Sequence, residues 1–136
     1  MNGPYLFRGG VYRGSHPETQ ADYNALKGEG VKTILDLEAG PDNDEEGLAQ
    51  LNGIRRIVVN MSAFVPPSDE NVAVALVYLD DANLHPIYVH CIKGVDRTGF
   101  VLARYSMRNG MSKKKASAEM AQWGNSWWLS WWRLFL

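Results

Sequence analysis

One cysteine, Cys91, stands in the 136-residue chain, so no intrachain disulfide can form and no thiolate cage for a metal can be built. The three histidines, His16, His85 and His90, show no metal-ligand spacing with it or with one another, and the expectation is a site without metal or cofactor. Neither sign of charge is in excess: 14 Lys and Arg against 15 Asp and Glu give a formal net charge of -1, which speaks against a nucleic-acid partner. Any anion this protein binds must therefore be gripped locally. No apolar run reaches the roughly 18 to 20 residues of a membrane span, and the start MNGPYLFRGG lacks the basic-then-apolar order of a secretory signal. The expectation is a cytoplasmic protein, or an exported one if a leader preceded residue 1. With no repeat or low-complexity linker, the chain reads as a single domain over 1–136, expected to be monomeric.

Strand-like and helix-like stretches alternate. Tyr5 to Tyr12, around Gly9-Gly10, reads as an edge strand or hairpin. Ser15 or His16 is placed to cap a helix with Pro17 in its first turn, ended by Gly28 or Gly30. Val31 to Leu37 is a strand with Val31, Thr33, Leu35 and Leu37 on one face and Ile34 on the other. The acidic run Glu38 to Glu46 reads as a solvated loop, leading into a short helix from Asp44 to about Leu51. Ile54 to Val59 is a further strand. After a proline-bearing loop, Ser68 caps a helix from Asp69 to about Ala82, with Val72, Leu76 and Leu79 at steps of four and three. Ile87 to Val89 is a short buried strand. Phe100 onward forms a helix to Asn109-Gly110, and Ser112 caps another running to about Trp123. The pattern predicts an α/β fold, a mostly parallel sheet of four to five strands flanked by helices, with ligands bound beyond the carboxyl ends of the strands. Cys91 sits at such an end.

Pro86 to Gly99, PIYVHCIKGVDRTG, is strand, tight polar loop and helix start in succession. A loop of this size, from Cys91 through Ile92, Lys93, Gly94, Val95 and Asp96 to Arg97, can turn several backbone N–H groups toward one tetrahedral anion, with the positive end of the following helix behind them. Arg97 adds a planar fork for two phosphate oxygens. The same fields stabilise a thiolate, placing a nucleophile beneath a bound phosphate. HCIKGVDRTG resembles the His-Cys, five residues, Arg-Ser/Thr signature of the protein tyrosine phosphatase superfamily. The resemblance implies that Cys91 forms a phosphocysteine, Arg97 binds ground and transition states, Thr98 supports thiolate release, and His90 orients the loop and influences the thiol.

A phosphatase also needs a proton donor for the leaving oxygen. Two carboxylates compete. Asp69, in PPSDEN, is equally well explained as a first-turn residue complementing the helix dipole. Asp96 resembles the loop Asp of the DRT ending in myotubularin-like lipid phosphatases; its plainer reading is a solvated carboxylate moderating the positive field. The stretch from about Val59 to Met107 is similar to phosphatase-like phytases and compact plant and fungal dual-specificity phosphatases, with YRGSHPE and VKTILDLE matching more loosely. Where the phytases carry an acid before the prolines, this chain has Ala63-Phe64. By that likeness the expected reaction is hydrolysis of phosphomonoesters, with inositol polyphosphates of the phytate type preferred over phosphoproteins. A phosphotyrosine or dual-specificity enzyme is the alternative, and a non-catalytic phosphate-binding module is the alternative of another class. Lys93 is placed to hold a second phosphate or to be an ordinary surface lysine. Arg13, Lys32, Arg55 and Arg56 are expected to add charge near the rim, although strand alternation turns Arg55 and Arg56 to opposite faces. The tail NSWWLSWWRLFL, 125–136, reads as an aromatic helix that folds back as the last core element in preference to a membrane or dimer contact.

Overall fold

The computed structural model describes residues 1–38 and 44–136. Tyr5–Arg8 (β1) and Val11–Gly14 (β2) form an antiparallel hairpin through Gly9-Gly10, so the hairpin alternative is the one realised. The first helix, α1, spans Gln20–Gly28 and starts later than the sequence predicts. Its cap is Thr19, whose hydroxyl accepts from the Asp22 N–H while the Asp22 carboxylate accepts from the Thr19 N–H. Ser15 and His16 are held out of the helix because their N–H groups donate to the Asn2 and Ile92 carbonyls. The next strand, β3, is Thr33–Asp36. Val31 lies ahead of it, its N–H on the Leu26 carbonyl, and packs with Ile34 rather than on the predicted opposite face. Glu45–Leu51 is α2, Arg55–Val58 is β4, and Asp69–Asp80 is α3, capped by Ser68 as predicted. A 3-10 turn at Ala82–Leu84 leads into β5, Ile87–His90; then come α4, Arg97–Arg108, and α5, Lys113–Gln122, capped by Ser112.

The strand order is β1-β2-β5-β3-β4, parallel except for the hairpin. One apolar layer, with Tyr23, Leu26 and Ala49, covers Ile34 and Tyr88; the larger layer, from α3, α4 and α5, covers Leu35, Ile57, Ile87 and Val89. All four residues of β5 are buried, as a central strand covered on both faces requires. This order places the site. The β5 strand inserts between β2 and β3, with Gly14 and Asp36 both in register with His90. Whatever follows His90 therefore emerges at a topological switch point, bracketed by the ends of two neighbouring strands.

The aromatic tail forms a 3-10 helix, Trp127–Phe135, and not the single broad aromatic face predicted from α-helical spacing. With three residues per turn, Leu129 and Trp132 share the inward line and are buried, Trp132 edge-on to Phe100. Trp127, Trp128 and Trp131 are exposed by the same geometry. Truncating a fully buried Trp generally costs about 3–5 kcal/mol, so this segment belongs to the folded body. No helix among the described residues is long and apolar enough to cross a membrane.

Candidate active site

Cys91 directly follows β5 and is 3% exposed, at a cavity of about 210 Å³ whose lining includes Ala63, Phe64, Lys93, Asp96, Arg97 and Trp128. The loop from Cys91 to Arg97 is shaped from outside by the end of β2. Gly94 has φ +75, and a Cβ there would come within 2.2 Å of the Gly14 carbonyl oxygen, so only glycine fits both the backbone and the space. The Arg13 guanidinium donates to the Gly94 carbonyl at 2.9 Å, and the His16 N–H donates to the Ile92 carbonyl at 3.0 Å. On the other flank the Leu37 N–H donates to the His90 carbonyl at 2.9 Å.

Arg97 opens α4 and is buried, with Nη1 donating to the Met61 carbonyl at 3.1 Å. That bond holds one edge of the guanidinium fork against the loop after β4. Thr98 is fully buried, and its hydroxyl has no hydrogen-bond partner among the described residues, which leaves a donor unspent beside the loop. Lys93 and Asp96 both line the cavity, and Ile92 is exposed at its mouth. Asp96 accepts from Ser126 twice at 2.7 Å, Oδ1 from the backbone N–H and Oδ2 from the hydroxyl. Because a serine hydroxyl either donates or accepts, the second contact survives whether Asp96 is ionised or protonated. Asp69 is not among the cavity residues. Its carboxylate is exposed and accepts from Arg104 at 3.2 Å.

Beneath the loop lies a charged cluster that sequence reasoning missed. His90 is fully buried; Nδ1 faces the Cys91 carbonyl at 3.0 Å and Nε2 the Glu45 carboxylate at 2.7 Å. Glu45 also faces His16 at 3.3 Å, and Arg56 donates to Asp36 at 2.7 Å. The predicted solvated run Glu38 to Glu46 is thus corrected at Glu45, which is 2% exposed; residues 39–43 of that run lie outside the described residues. Burial opposes the charged imidazole of His90, but the Glu45 hydrogen bond and the charges of Glu45 and Asp36 outweigh it and hold the pKa above the ordinary value of 6.5. Burial likewise pushes Glu45 up, yet the hydrogen bond and charge of His90, with His16 and Arg56, bring it below 4.5.

These two shifts give the pair a pH window. A raised His90 contributes stability that is complete below about 6.5 and fades as pH rises through the folded value. A depressed Glu45 contributes above about 4.5 and loses it on acidification. Glu45→Gln is therefore expected to destabilise most between those limits, by about 3–5 kcal/mol for a broken buried pair. Urea unfolding of both proteins across the range checks this; a difference that grows from neutral to alkaline pH contradicts it.

The predicted rim charges are corrected as well. Arg13 is 2% exposed and lies behind the loop rather than at its mouth. Lys32 and Arg55 stand at the amino ends of β3 and β4, away from the strand ends that carry Cys91. Arg56 is engaged by Asp36 and Glu46. Strand alternation carries a signal for Arg13 and Arg56, since Arg13 shares its face with the core residue Val11 and one member of the Arg55-Arg56 pair must point inward. No local pattern points to Ser126, thirty residues from its partner.

The likenesses to known proteins agree with this geometry. Over 96 residues, 66% of the chain, it is 33% identical to the inositol diphosphatase DSP4 of Arabidopsis thaliana, and it spans about half (48%) of that relative's length. It superposes on the core catalytic domain of the S. cerevisiae PP-IP phosphatase SIW14 with a TM-score of 0.82 at 25% identity, covering 92% of this chain and 77% of that one. It superposes on P. aeruginosa TpbA with a TM-score of 0.71 at 27% identity, covering 84% and 69%. Residues 9–111, from the hairpin through the whole Cys91 loop to the end of α4, match the model of the polymorphic toxin system DSP-PTPase phosphatases, Tc-R-P, and the chain belongs to that family.

Proposed function

We propose that this protein is a cysteine-dependent phosphatase acting through a phosphocysteine. The observation that carries the reading is Cys91 at the cavity, with Arg97 buried in the same loop and the unspent Thr98 hydroxyl beside it. The Cys91 thiolate attacks phosphorus; the S–P bond forms as the bond to the leaving oxygen breaks, and that oxygen takes a proton from Asp96. Arg97 and the loop N–H groups bind the three equatorial oxygens. In the second step water attacks phosphorus and gives its proton to Asp96, and the S–P bond breaks to release orthophosphate and the thiolate, which Thr98 stabilises.

Inositol polyphosphates, diphosphates among them, are the proposed substrates, supported by the actions named for DSP4 and SIW14. In a diphosphate the leaving group is itself a phosphate, far better than an inositol alkoxide, which lightens the demand on Asp96. A second reading, aryl phosphates, is favoured by the mouth itself. Phe64, Ile92 and Trp128 are apolar, and Lys93 and Arg97 are the cations among the lining residues. TpbA has been seen with phosphotyrosine bound.

A panel of inositol hexakisphosphate, inositol diphosphates, phosphoinositides and phosphotyrosine peptides separates the readings. The expected result is the highest kcat/KM on a soluble inositol phosphate. A tenfold advantage for phosphotyrosine peptides would transfer the assignment to the second reading. No turnover on any of them, together with no binding of orthovanadate, would end the phosphatase reading.

A further inference from the structure

From Ser112 to Leu136 the chain carries four cations, Lys113, Lys114, Lys115 and Arg133, against one acidic side chain, Glu119. That acid is already engaged by Arg8 at 2.6 Å and by the Ser106 hydroxyl at 2.9 Å. Lys113, Lys114, Arg133 and Leu134 line one groove between α5 and the 3-10 helix. Lys113 donates to the Leu134 carbonyl at 3.0 Å and Arg133 to the Ser130 carbonyl at 3.4 Å, both neutral partners. None of these three cations forms an ion pair among the described residues. A local surplus of positive charge therefore stands on a chain whose net charge is -1.

The groove is joined to the catalytic cavity by an apolar strip. Three residues per turn set Trp128, Trp131 and Leu134 in one row along the 3-10 helix, about 12 Å from first to last at a rise of about 2 Å per residue. All three are exposed, at 48%, 42% and 74%. The row begins at the cavity, which Trp128 lines beside the exposed Phe64 and Ile92, and ends in the basic groove, which Leu134 lines. Soluble proteins rarely leave a contiguous strip of this kind uncovered. Indole rings settle at the headgroup level of a bilayer, and Lys and Arg lay their stems on apolar surface while their charges reach lipid phosphates. A second copy of the chain is the poorer occupant: Lys93 stands at one end of the strip and the basic groove at the other, so pairing two strips sets cation against cation.

We propose that this strip is a docking surface for an anionic lipid bilayer, with Trp131 and Leu134 entering the headgroup layer and Lys113, Lys114 and Arg133 pairing with its negative charges. Docking lays the mouth of the Cys91 cavity against the headgroups, and it does not depend on the reaction that Cys91 performs. Co-sedimentation of the full chain with phosphatidylcholine vesicles, with and without one part in three of phosphatidylserine, tests it. Binding is expected only with phosphatidylserine and should be largely lost in half-molar salt. Trp131→Ser is expected to weaken it roughly tenfold. Lys113→Gln combined with Lys114→Gln should weaken it roughly 25-fold, at about fivefold per cation. Leu51→Ser, which removes an 83% exposed leucine from α2 on the opposite layer, should leave it unchanged. No binding by the wild type, equal binding to pure phosphatidylcholine, or a tail or lysine variant coincident with wild type overturns the proposal. A loss for Leu51→Ser equal to that for Trp131→Ser also overturns it, by showing that any exposed apolar residue serves. A dimer in sedimentation velocity that Trp131→Ser dissolves would assign the strip to a second copy instead. Should one variant fail to fold, the other variant and the salt series decide. Failure of the phosphatase reading looks different: a protein that binds these vesicles and hydrolyses no phosphate ester.

Discussion

Cys91→Ser is expected to abolish turnover, by a factor on the order of 10⁴ or more, while leaving orthophosphate and orthovanadate affinity near the wild-type value. The two readouts part because they use different atoms. In the proposed mechanism anion affinity rests on the loop N–H groups, the positive end of α4 and the Arg97 fork, none of which the substitution removes. Turnover needs a nucleophile that is anionic at neutral pH, which a serine hydroxyl is not. The loop should keep its shape, since Gly94 and Ile92 are held from outside by Arg13 and His16. Isothermal titration with phosphate and initial rates on the substrate panel measure the two quantities. Retained turnover would remove Cys91 from the mechanism, and joint loss of binding and turnover would mean that the thiol is structural.

Asp96→Asn is expected to slow hydrolysis by about 10²–10⁴-fold on alkyl phosphates and by less on aryl phosphates, whose phenolate leaves with little help. Asp69→Asn is expected to leave both rates near wild type. The carboxylates differ in position more than in kind: Asp96 lines the cavity, whereas Asp69 is exposed at the start of α3 and engaged with Arg104. The Ser126 N–H, aimed at Oδ1, supports this role by fixing the carboxylate while Oδ2 exchanges a proton. Asparagine keeps an acceptor for that N–H, so its loss of rate reads proton transfer with the Ser126 contact retained. An equal small loss in both variants, or a loss for Asp96→Asn that is the same on alkyl and aryl esters, would mean that neither carboxylate is the acid.

What could be read in the residues and what could not divides along physical lines. The strand, loop and helix around Cys91 were legible because each rests on local signals: a continuous apolar run in β5, a glycine in the turn, and Arg-Thr opening an amphipathic helix. Ser68 and Ser112 were legible as caps for the same reason, being three residues ahead of the N–H groups they accept from. The misplaced start of α1 is instructive, since Thr19 and Asp22 form an equally local capping box. Pro17 drew the helix start upstream, but the N–H groups of Ser15 and His16 are spent on Asn2 and Ile92. Such long-range bonds override local preference.

The buried cluster under the loop was not legible. Glu45 lies in a stretch whose composition points to solvent, and it is buried only because the fold brings His90, His16 and Arg56 around it. The aromatic tail failed for a different reason. Its residues fit two helical periods, and the 3.0 residues per turn of the actual helix, in place of the expected 3.6, move Trp127, Trp128 and Trp131 from the core face to the surface.

The most direct test of the account is to trap the intermediate. Wild-type protein mixed with an inositol phosphate or an aryl phosphate, quenched in acid within the first turnover and digested, should yield the peptide carrying Cys91 with the added mass of one phosphoryl group. Cys91→Ser protein treated identically should yield none. A phosphoryl group found on any other residue, or turnover at full rate with no phosphorylated peptide at any quench time, would contradict a cysteine-dependent mechanism.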